Sequence, residues 1–265
     1  MKIIITGSEG FIGIHLSKFL ESKGIKVIKY DLKNKKKKIF NIKNLEKLDG
    51  IVHLAGVSRV SESLEKPLKT MSNNVLLTCK ILESLKNLKK KPWFIFTSTH
   101  QIEMEKSSQV KSPYSISKNT CDELIKFYAS RFNIPSYILK LSDVYSNDNL
   151  NNKRALDKMI KKFKDNKSFI IENKSHFFKF IEINELIKII FQIIKKKKKP
   201  ICTSIKINVK NKISLKDLAI LVKKKMNSKS KIVFKKKKDK DNFHKIKVIE
   251  KNLNVFFNFS KINNN

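Results

Sequence analysis

Glycine is scarce in this chain. Six glycines occur in 265 residues and none follows Gly56. Three of them, Gly7, Gly10 and Gly13, fall within seven positions of the opening "KIIITGSEGFIG". Arginine is scarcer still: Arg59, Arg131 and Arg154 stand against 56 lysines. The formal net charge of +36 would otherwise read as a nucleic-acid footprint. Selective readers of bases and phosphates favour the bidentate arginine fork. Here lysine, asparagine, isoleucine and phenylalanine are raised together, which is the composition of a strongly AT-rich coding sequence. The expectation is no specific nucleic-acid partner, only nonspecific attraction to polyanions.

Other absences narrow the class. Cys79, Cys121 and Cys202 are scattered without metal spacing and read as free thiols of a cytoplasmic protein. No cluster of histidine, cysteine and carboxylate points to a metal site. No run of eighteen apolar residues exists, so no membrane span is expected. The opening apolar run is three residues long and leads straight into the glycine loop, unlike a secretion signal. The 40% of hydrophobic residues is enough for one large domain, or one and a half.

What is present alternates. "KIIIT" reads as a buried strand, 11–22 as a helix and "IKVIKY" as a second strand ending at Asp31. "KKKKIFNI" reads as a short third strand and "GIVHLAG" as a fourth, with Gly24 and Gly50 at turns ahead of strands. A long helical pattern over 67–88, the strand "WFIFTST", a helix over 114–132 and the strand "SYILKL" follow. This order predicts an α/β fold with a doubly wound parallel sheet, Rossmann-type, over 1–146. From 147 to 265 lysine- and asparagine-rich helices and short strands predict a smaller C-terminal α/β substrate lobe, part of which packs back onto the sheet.

The loop has a physical reading. Gly7 allows a tight turn out of the strand, Gly10 lets backbone approach a pyrophosphate, and Gly13 lets the helix pack on the strand. The helix N-terminus then offers unpaired N–H groups and a partial positive charge to phosphates. Asp31, eighteen residues after Gly13, stands where a carboxylate accepts from ribose hydroxyls. An acid there favours NAD over NADP, although Lys33 and Lys35 to Lys38 lie close enough in sequence to attract a phosphate.

"SPYSISK" places Tyr114 and Lys118 four residues apart on one helix face. Tyrosine there acts as acid or, as tyrosinate, as base; a nearby ammonium and a cationic nicotinamide lower its pKa. With 56 lysines about one such pair arises by chance, so the placement after the fifth strand carries the reading. That strand ends with hydroxyls at Thr97, Ser98 and Thr99, any of which can hydrogen-bond a substrate oxygen. His15, His53, His176 and His244 read as packing or surface residues, and His100 as a secondary acid/base candidate. The lysine runs 195–199 and 235–238 read as solvated faces.

"TGSEGFIG", "VHLAG", "NNV", "FIFTST", "SPYSISK" and "LKLSDVYS", in this order, resemble the extended short-chain dehydrogenase/reductases, the NAD-dependent epimerase/dehydratase family. The match is good over 1–146 and loose beyond. The resemblance implies a bound NAD(P), usually a nucleotide-sugar substrate, and transient oxidation of a sugar carbon. It implies that Gly7, Gly10, Phe11, Ile12 and Gly13 cradle the pyrophosphate and that Asp31 holds the adenosine ribose. It puts Asn41 beside the adenine, and Leu54, Ala55, Gly56 and Asn74 along the cofactor. It makes Thr99 and Tyr114 catalytic, with Lys118 holding the nicotinamide ribose and lowering the tyrosine pKa. His100 and Asp143 fall at substrate positions. A homodimer pairing the helical stretches near 68–88 and 114–132 is also implied.

The departures bear on chemistry. His100 and Gln101 stand where dehydratases of this family carry Asp-Glu, which disfavours 4,6-dehydration. "IEM" replaces the family's "VYG", and fifteen residues from Thr99 to Tyr114 make a short substrate loop. Asp143 replaces an asparagine that contacts substrate, and Phe178 an arginine that grips the diphosphate; Lys174 or Lys179 would have to substitute. The leading expectation is a nucleotide-sugar epimerase or related reductase. The alternatives are a reductase of a carbonyl compound without a nucleotide, and a non-catalytic scaffold that binds RNA or protein.

Overall fold

Neighbouring side chains of the opening strand part company: Ile3 and Ile5 enter one hydrophobic cluster, Ile4 another, and all three are fully buried. Burial on both faces is the mark of a parallel sheet covered by helices. The computed structural model describes residues 1–31, 45–105, 110–146, 155–171, 177–196, 200–207 and 212–235. The expected third strand, with Lys33, Lys35 to Lys38 and Asn41, lies outside them, as do Lys174, His176 and His244.

In chain order the strands are β1 (Lys2–Thr6), β2 (Lys26–Tyr30), β3 (Gly50–His53), β4 (Trp93–Thr99), β5 (Ser136–Leu141), β6 (Asp143–Tyr145), β7 (Phe169–Ile171), β8 (Phe177–Glu182), β9 (Cys202–Lys206), β10 (Lys212–Ser214) and β11 (Ile232–Phe234). The α-helices are α1 (Phe11–Ser22), α2 (Val60–Glu65), α3 (Pro67–Met71), α4 (Leu77–Lys86), α5 (Gln101–Met104), α6 (Pro113–Phe132), α7 (Ala155–Lys164), α8 (Ile183–Lys195) and α9 (Leu215–Lys225).

The main sheet runs β2-β1-β3-β4-β5-β9, with every neighbouring pair parallel. The winding reverses at β1, which has β2 on one side and β3 on the other, so a crevice opens beyond their carboxyl ends. One face is packed by Leu16 and Leu20 of α1 with Leu186, Ile187 and Ile190 of α8. The other is packed by Leu77, Ile81, Leu82 and Leu85 of α4 with Ile125 and Tyr128 of α6. α8 and β9 lie beyond residue 147 in sequence yet complete this sheet. A third cluster, Met159, Phe163, Ile171, Phe178, Leu218 and Ala219, forms a separate small core. Around it lie the sheet β10-β8-β6 and the pair β11-β7.

Two expectations need correcting. The helical stretch from Pro67 is interrupted by a π-helical turn at Ser72–Leu76, so α3 and α4 are separate. Such single turns insert one extra residue and re-aim a side chain; here the buried one is Asn74. Gly50 is the first residue of β3 rather than a turn ahead of it. A Cβ there would lie 2.1 Å from the Trp93 ring, so the ring occupies the space a side chain would need. Gly24, at φ +72, is the turn expected.

Because Trp93 is buried and paired directly opposite Gly50, the ring has little room to retreat. Gly50→Ala is expected to destabilise the fold by about 1–3 kcal/mol, the usual cost of overpacking a core, measured as a lower urea midpoint with an unchanged slope.

Candidate active site

The glycine loop is built by close approach. Gly7 takes φ +68 and donates its N–H to the Tyr30 carbonyl at 2.8 Å. A Cβ on Gly7 would meet the Ala55 nitrogen at 2.7 Å, and one on Gly13 would meet the Gly7 oxygen at 2.2 Å. No side chain fits at either place, which draws the start of α1 onto the ends of β1 and β3. Gly10 caps α1 without a side-chain partner. Ile14 is the first residue to donate back along the helix, to the Gly10 oxygen at 2.9 Å. The N–H groups of Ile12 and Gly13 therefore have no helical carbonyl to reach, the arrangement that binds phosphate. The Asp31 carboxylate stands beside this loop and accepts from the Glu9 N–H at 3.1 Å. Phe11 packs against His15 with ring centres 5.1 Å apart, and the His15 ring donates to the Phe11 carbonyl at 2.8 Å, which makes it a packing residue.

The end of β3 is held by Thr6. The Leu54 N–H donates to the Thr6 carbonyl at 3.1 Å and the Ala55 N–H to the Thr6 hydroxyl at 3.2 Å. Gly56 has φ +150, and a Cβ there would lie 2.6 Å from the Asn74 amide oxygen. Asn74 is engaged with protein on both amide atoms. Its oxygen accepts from the Val57 N–H at 2.7 Å, and its nitrogen donates to the Val57 carbonyl at 3.2 Å and to the Ser117 hydroxyl at 2.8 Å. It joins the strand end after β3 to α6.

The sequence of "SPYSISK" explains the placement of Tyr114. The Ser112 hydroxyl caps α6 by accepting from the Ser115 N–H at 3.2 Å, and Pro113 occupies the first turn with its φ already set. The Glu105 carboxylate secures the cap, accepting from the Ser112 N–H at 2.8 Å and from the Gln101 amide at 2.9 Å. Of the three hydroxyls at the end of β4, Thr97 donates toward the His53 carbonyl at 3.4 Å and Ser98 donates to Asp122 at 3.0 Å. Thr99 is the one whose hydroxyl lies close enough to the Tyr114 hydroxyl to favour its deprotonated form.

Burial pushes the Tyr114 pKa up to about 12, the Thr99 hydroxyl pulls against it, and the Asp143 carboxylate adds to the rise. Tyr114 thus carries its proton at neutral pH. Burial, with Asp143, sets this direction; the depression expected from an ammonium together with a cationic nicotinamide needs that ring beside the hydroxyl. Lys118 is buried, donates to the Thr97 carbonyl at 2.8 Å, and lies 4.5 Å from the centre of the Phe96 ring. Burial lowers its own pKa, opposed by Cys121 and Asp122.

His100 is fixed to β5: its backbone N–H donates to the Leu141 carbonyl at 3.0 Å, and its ring Nδ1 donates to the same oxygen at 2.8 Å. Phe178 is buried in the small core and stacks on Phe180 at 5.3 Å. Lys179 is partly exposed on the neighbouring position of β8. Among the described residues no group of histidine, cysteine and carboxylate is placed to hold a metal ion, and no helix is long and apolar enough to cross a membrane.

Sequence reasoning overlooked Glu105 and Asp122. The Ser-Pro before Tyr114 was a visible cap signature, and a carboxylate at a helix start suits the helix dipole. Asp122, four residues after Lys118, was visible as a same-face charge pair.

The profile of the NAD dependent epimerase/dehydratase family matches residues 3–207. A dTDP-D-glucose 4,6-dehydratase of Dictyostelium discoideum is 32% identical over 209 residues, 61% of this chain and 47% of that one. A CDP-abequose synthase of Salmonella muenchen is 28% identical over 87% of this chain and 83% of its own. The crystal structure of UDP-glucuronic acid 4-epimerase from Bacillus cereus, in complex with UDP-glucuronic acid and NAD, superposes with a TM-score of 0.76. It is 27% identical and the alignment covers 89% of this chain and 86% of that one. The chain spans about half the length of most of the curated relatives it matches.

The neighbouring histidine is a structural one. His53 is fully buried, its Nδ1 2.6 Å from the Thr6 hydroxyl and its Nε2 2.9 Å from the Thr78 hydroxyl. Burial, then the charge of Lys118, lower its pKa to about 3. The unfolded chain takes up this proton near pH 6.5 and the folded chain does not. Stability is therefore full above pH 6.5 and falls by up to about 1.4 kcal/mol per unit as pH drops from there toward 3. The His53 ring proton shifts are expected to stay flat from pH 8 to pH 5 by NMR.

Proposed function

This chain belongs to the NAD dependent epimerase/dehydratase family, and from that membership we propose that it is an NAD-dependent enzyme acting at a carbon of a nucleotide-linked sugar, as an epimerase or a related reductase. The observation that carries this reading is the Tyr114 hydroxyl, beside Thr99 and with Lys118 one helical turn away. The group stands on the carboxyl edge of the sheet that also bears the glycine loop.

The loop fits a dinucleotide because the space a Cβ would fill at Gly7 and Gly13 is taken by backbone. In this proposal Gly7, Gly10, Phe11, Ile12 and Gly13 hold the pyrophosphate, and Asp31 holds the adenosine ribose. Leu54, Ala55 and Gly56 form the wall beside it. Asn41 beside the adenine belongs to the same proposal. Asn74 acts through Val57 and Gly56, since its amide is already engaged. Bound NAD⁺ supplies the hydride acceptor and a cationic ring. Lys118 holds the nicotinamide ribose. Tyr114 moves the proton of the sugar oxygen at its hydroxyl, Thr99 orients that oxygen, and His100 and Asp143 flank the substrate. A protonated Tyr114 suits donation to a carbonyl oxygen; acting as base requires positive charge brought beside it.

A second reading, reduction of a carbonyl compound without a nucleotide, is favoured by Phe178. It is packed in the small core at the position where the family carries an arginine that grips the diphosphate, and the point charge of Lys179 grips a diphosphate less well than a guanidinium. Work in the cytoplasm is part of the proposal, carried by the three free thiols. So is a homodimer, supported by the exposed apolar side chains of Leu76, Ile116 and Phe127 near α4 and α6.

Calorimetric titration with NAD⁺ and NADP⁺ tests the cofactor reading. NAD⁺ is expected to bind more tightly, with Asp31→Ala and Gly10→Val each weakening it about tenfold or more, roughly 1.4 kcal/mol. Tyr114→Phe is expected to keep NAD⁺ affinity and lower turnover of UDP-, dTDP- or GDP-sugars by about 100- to 10,000-fold. Absence of binding by either dinucleotide would sink the proposal and return attention to the positive charge. For the dimer, light scattering at micromolar concentration is expected to read twice the 30.9 kDa chain mass.

A further inference from the structure

We propose that Asp122 is a positioning residue for Lys118: its buried carboxylate is the counter-charge of the Lys118 ammonium and, through Ser98, ties α6 to the last residues of β4. The inference rests on the functional reading above, in which Lys118 holds the nicotinamide ribose.

The geometry is particular. Asp122 follows Lys118 by four residues, so both lie on the face of α6 turned to the sheet, and both are buried. One carboxylate oxygen accepts from the Ser98 hydroxyl at 3.0 Å; the other has no hydrogen-bond partner. A buried carboxylate with an open lone pair is costly, and the cations that offset it are Lys140 on β5 and, on its own helix face, Lys118. Ser98 lies between Thr97, whose carbonyl receives the Lys118 ammonium, and Thr99, which lies beside the Tyr114 hydroxyl. One side chain thus fixes the strand segment that both groups of the site depend on.

The other charged groups nearby do not replace it. Cys121, on the same helix, opposes burial at Lys118 only as a thiolate, and burial pushes its thiol up. His53, from β3, is neutral, as is Tyr114 at the start of α6. Lys126 on α6 and Lys140 on β5 are cations that favour the charged form of Asp122, and Cys202 on β9 is a further thiol pushed up by burial. Asp122 is raised by burial and drawn back by the Ser98 hydrogen bond, then by the charges of Lys140, Lys118 and Lys126 in that order. That leaves Asp122 as the anion that offsets the burial of Lys118.

The test is calorimetric titration of the full chain with NAD⁺ from pH 6 to pH 10, for wild type, Asp122→Asn, Asp122→Glu and Lys118→Met. Wild type is expected to lose affinity on the alkaline side as the ammonium deprotonates. Asn keeps the acceptor for Ser98 and removes the charge, so the ammonium loses its proton earlier. The midpoint of the alkaline loss should move down by about one pH unit or more. Glu should bring it back toward wild type, and Lys118→Met should bind weakly with no alkaline loss. An unshifted midpoint in a folded Asp122→Asn would overturn the assignment while leaving the functional reading standing. Failure of both Asp122 variants to fold, read by circular dichroism, would also overturn it by placing the residue's role in the fold. Absence of NAD⁺ binding by wild type would overturn the functional reading and this inference with it.

Discussion

The site depends on how closely backbone passes backbone at the carboxyl end of β1. A side chain on Gly13 would overlap the Gly7 oxygen, and one on Gly7 would overlap residues 54 and 55. Three segments are therefore brought to contact distance at the place where the sheet reverses its winding. The N-terminus of α1 points into the crevice because nothing holds it off. In a chain with six glycines, the conformational cost of glycine is accepted where this approach demands it.

A second layer of order lies beneath that contact. The Thr6 hydroxyl meets the His53 ring and the Ala55 N–H; the far side of His53 meets Thr78, and Thr78 donates to the Asn74 carbonyl at 2.6 Å. The Asn74 amide reaches Ser117, whose hydroxyl donates to the Tyr114 carbonyl at 2.8 Å. This run of buried, partnered polar groups leads from the glycine strand to the helix of Tyr114 and Lys118. A satisfied buried network makes one arrangement far cheaper than its neighbours, since each broken link strands a polar atom in the interior. The π-helical turn at 72–76 earns its place here, because it delivers Asn74 into the gap.

The large positive charge has little part in this. The ion pairs formed by Lys29, Lys69, Lys86 and Lys126 are on the surface, where such pairs contribute at most about 1 kcal/mol each. The charges that matter are few and enclosed: Lys118 and Asp122, beside the neutral His53. In the interior a single charge changes the protonation of its neighbours, whereas on the surface water and salt screen it.

The sequence by itself determined the sheet and the address of the site. Short apolar runs made "KIIIT" and "WFIFTST" legible as strands, glycine spacing marked the loop, and "SPYSISK" put Tyr114 and Lys118 at a helix start. These are local signals, carried by a few adjacent residues. Only the tertiary structure decided that Thr97 and Ser98 are engaged with His53 and Asp122, that Asn74 faces Val57 and Ser117, and that Phe178 is a core residue. It also decided that α8 and β9, distant in sequence, close the main sheet, and that Tyr114 keeps its proton. Each of these depends on which residues far apart in the chain are pressed together and stripped of water, and contact and burial of that kind have no local signature.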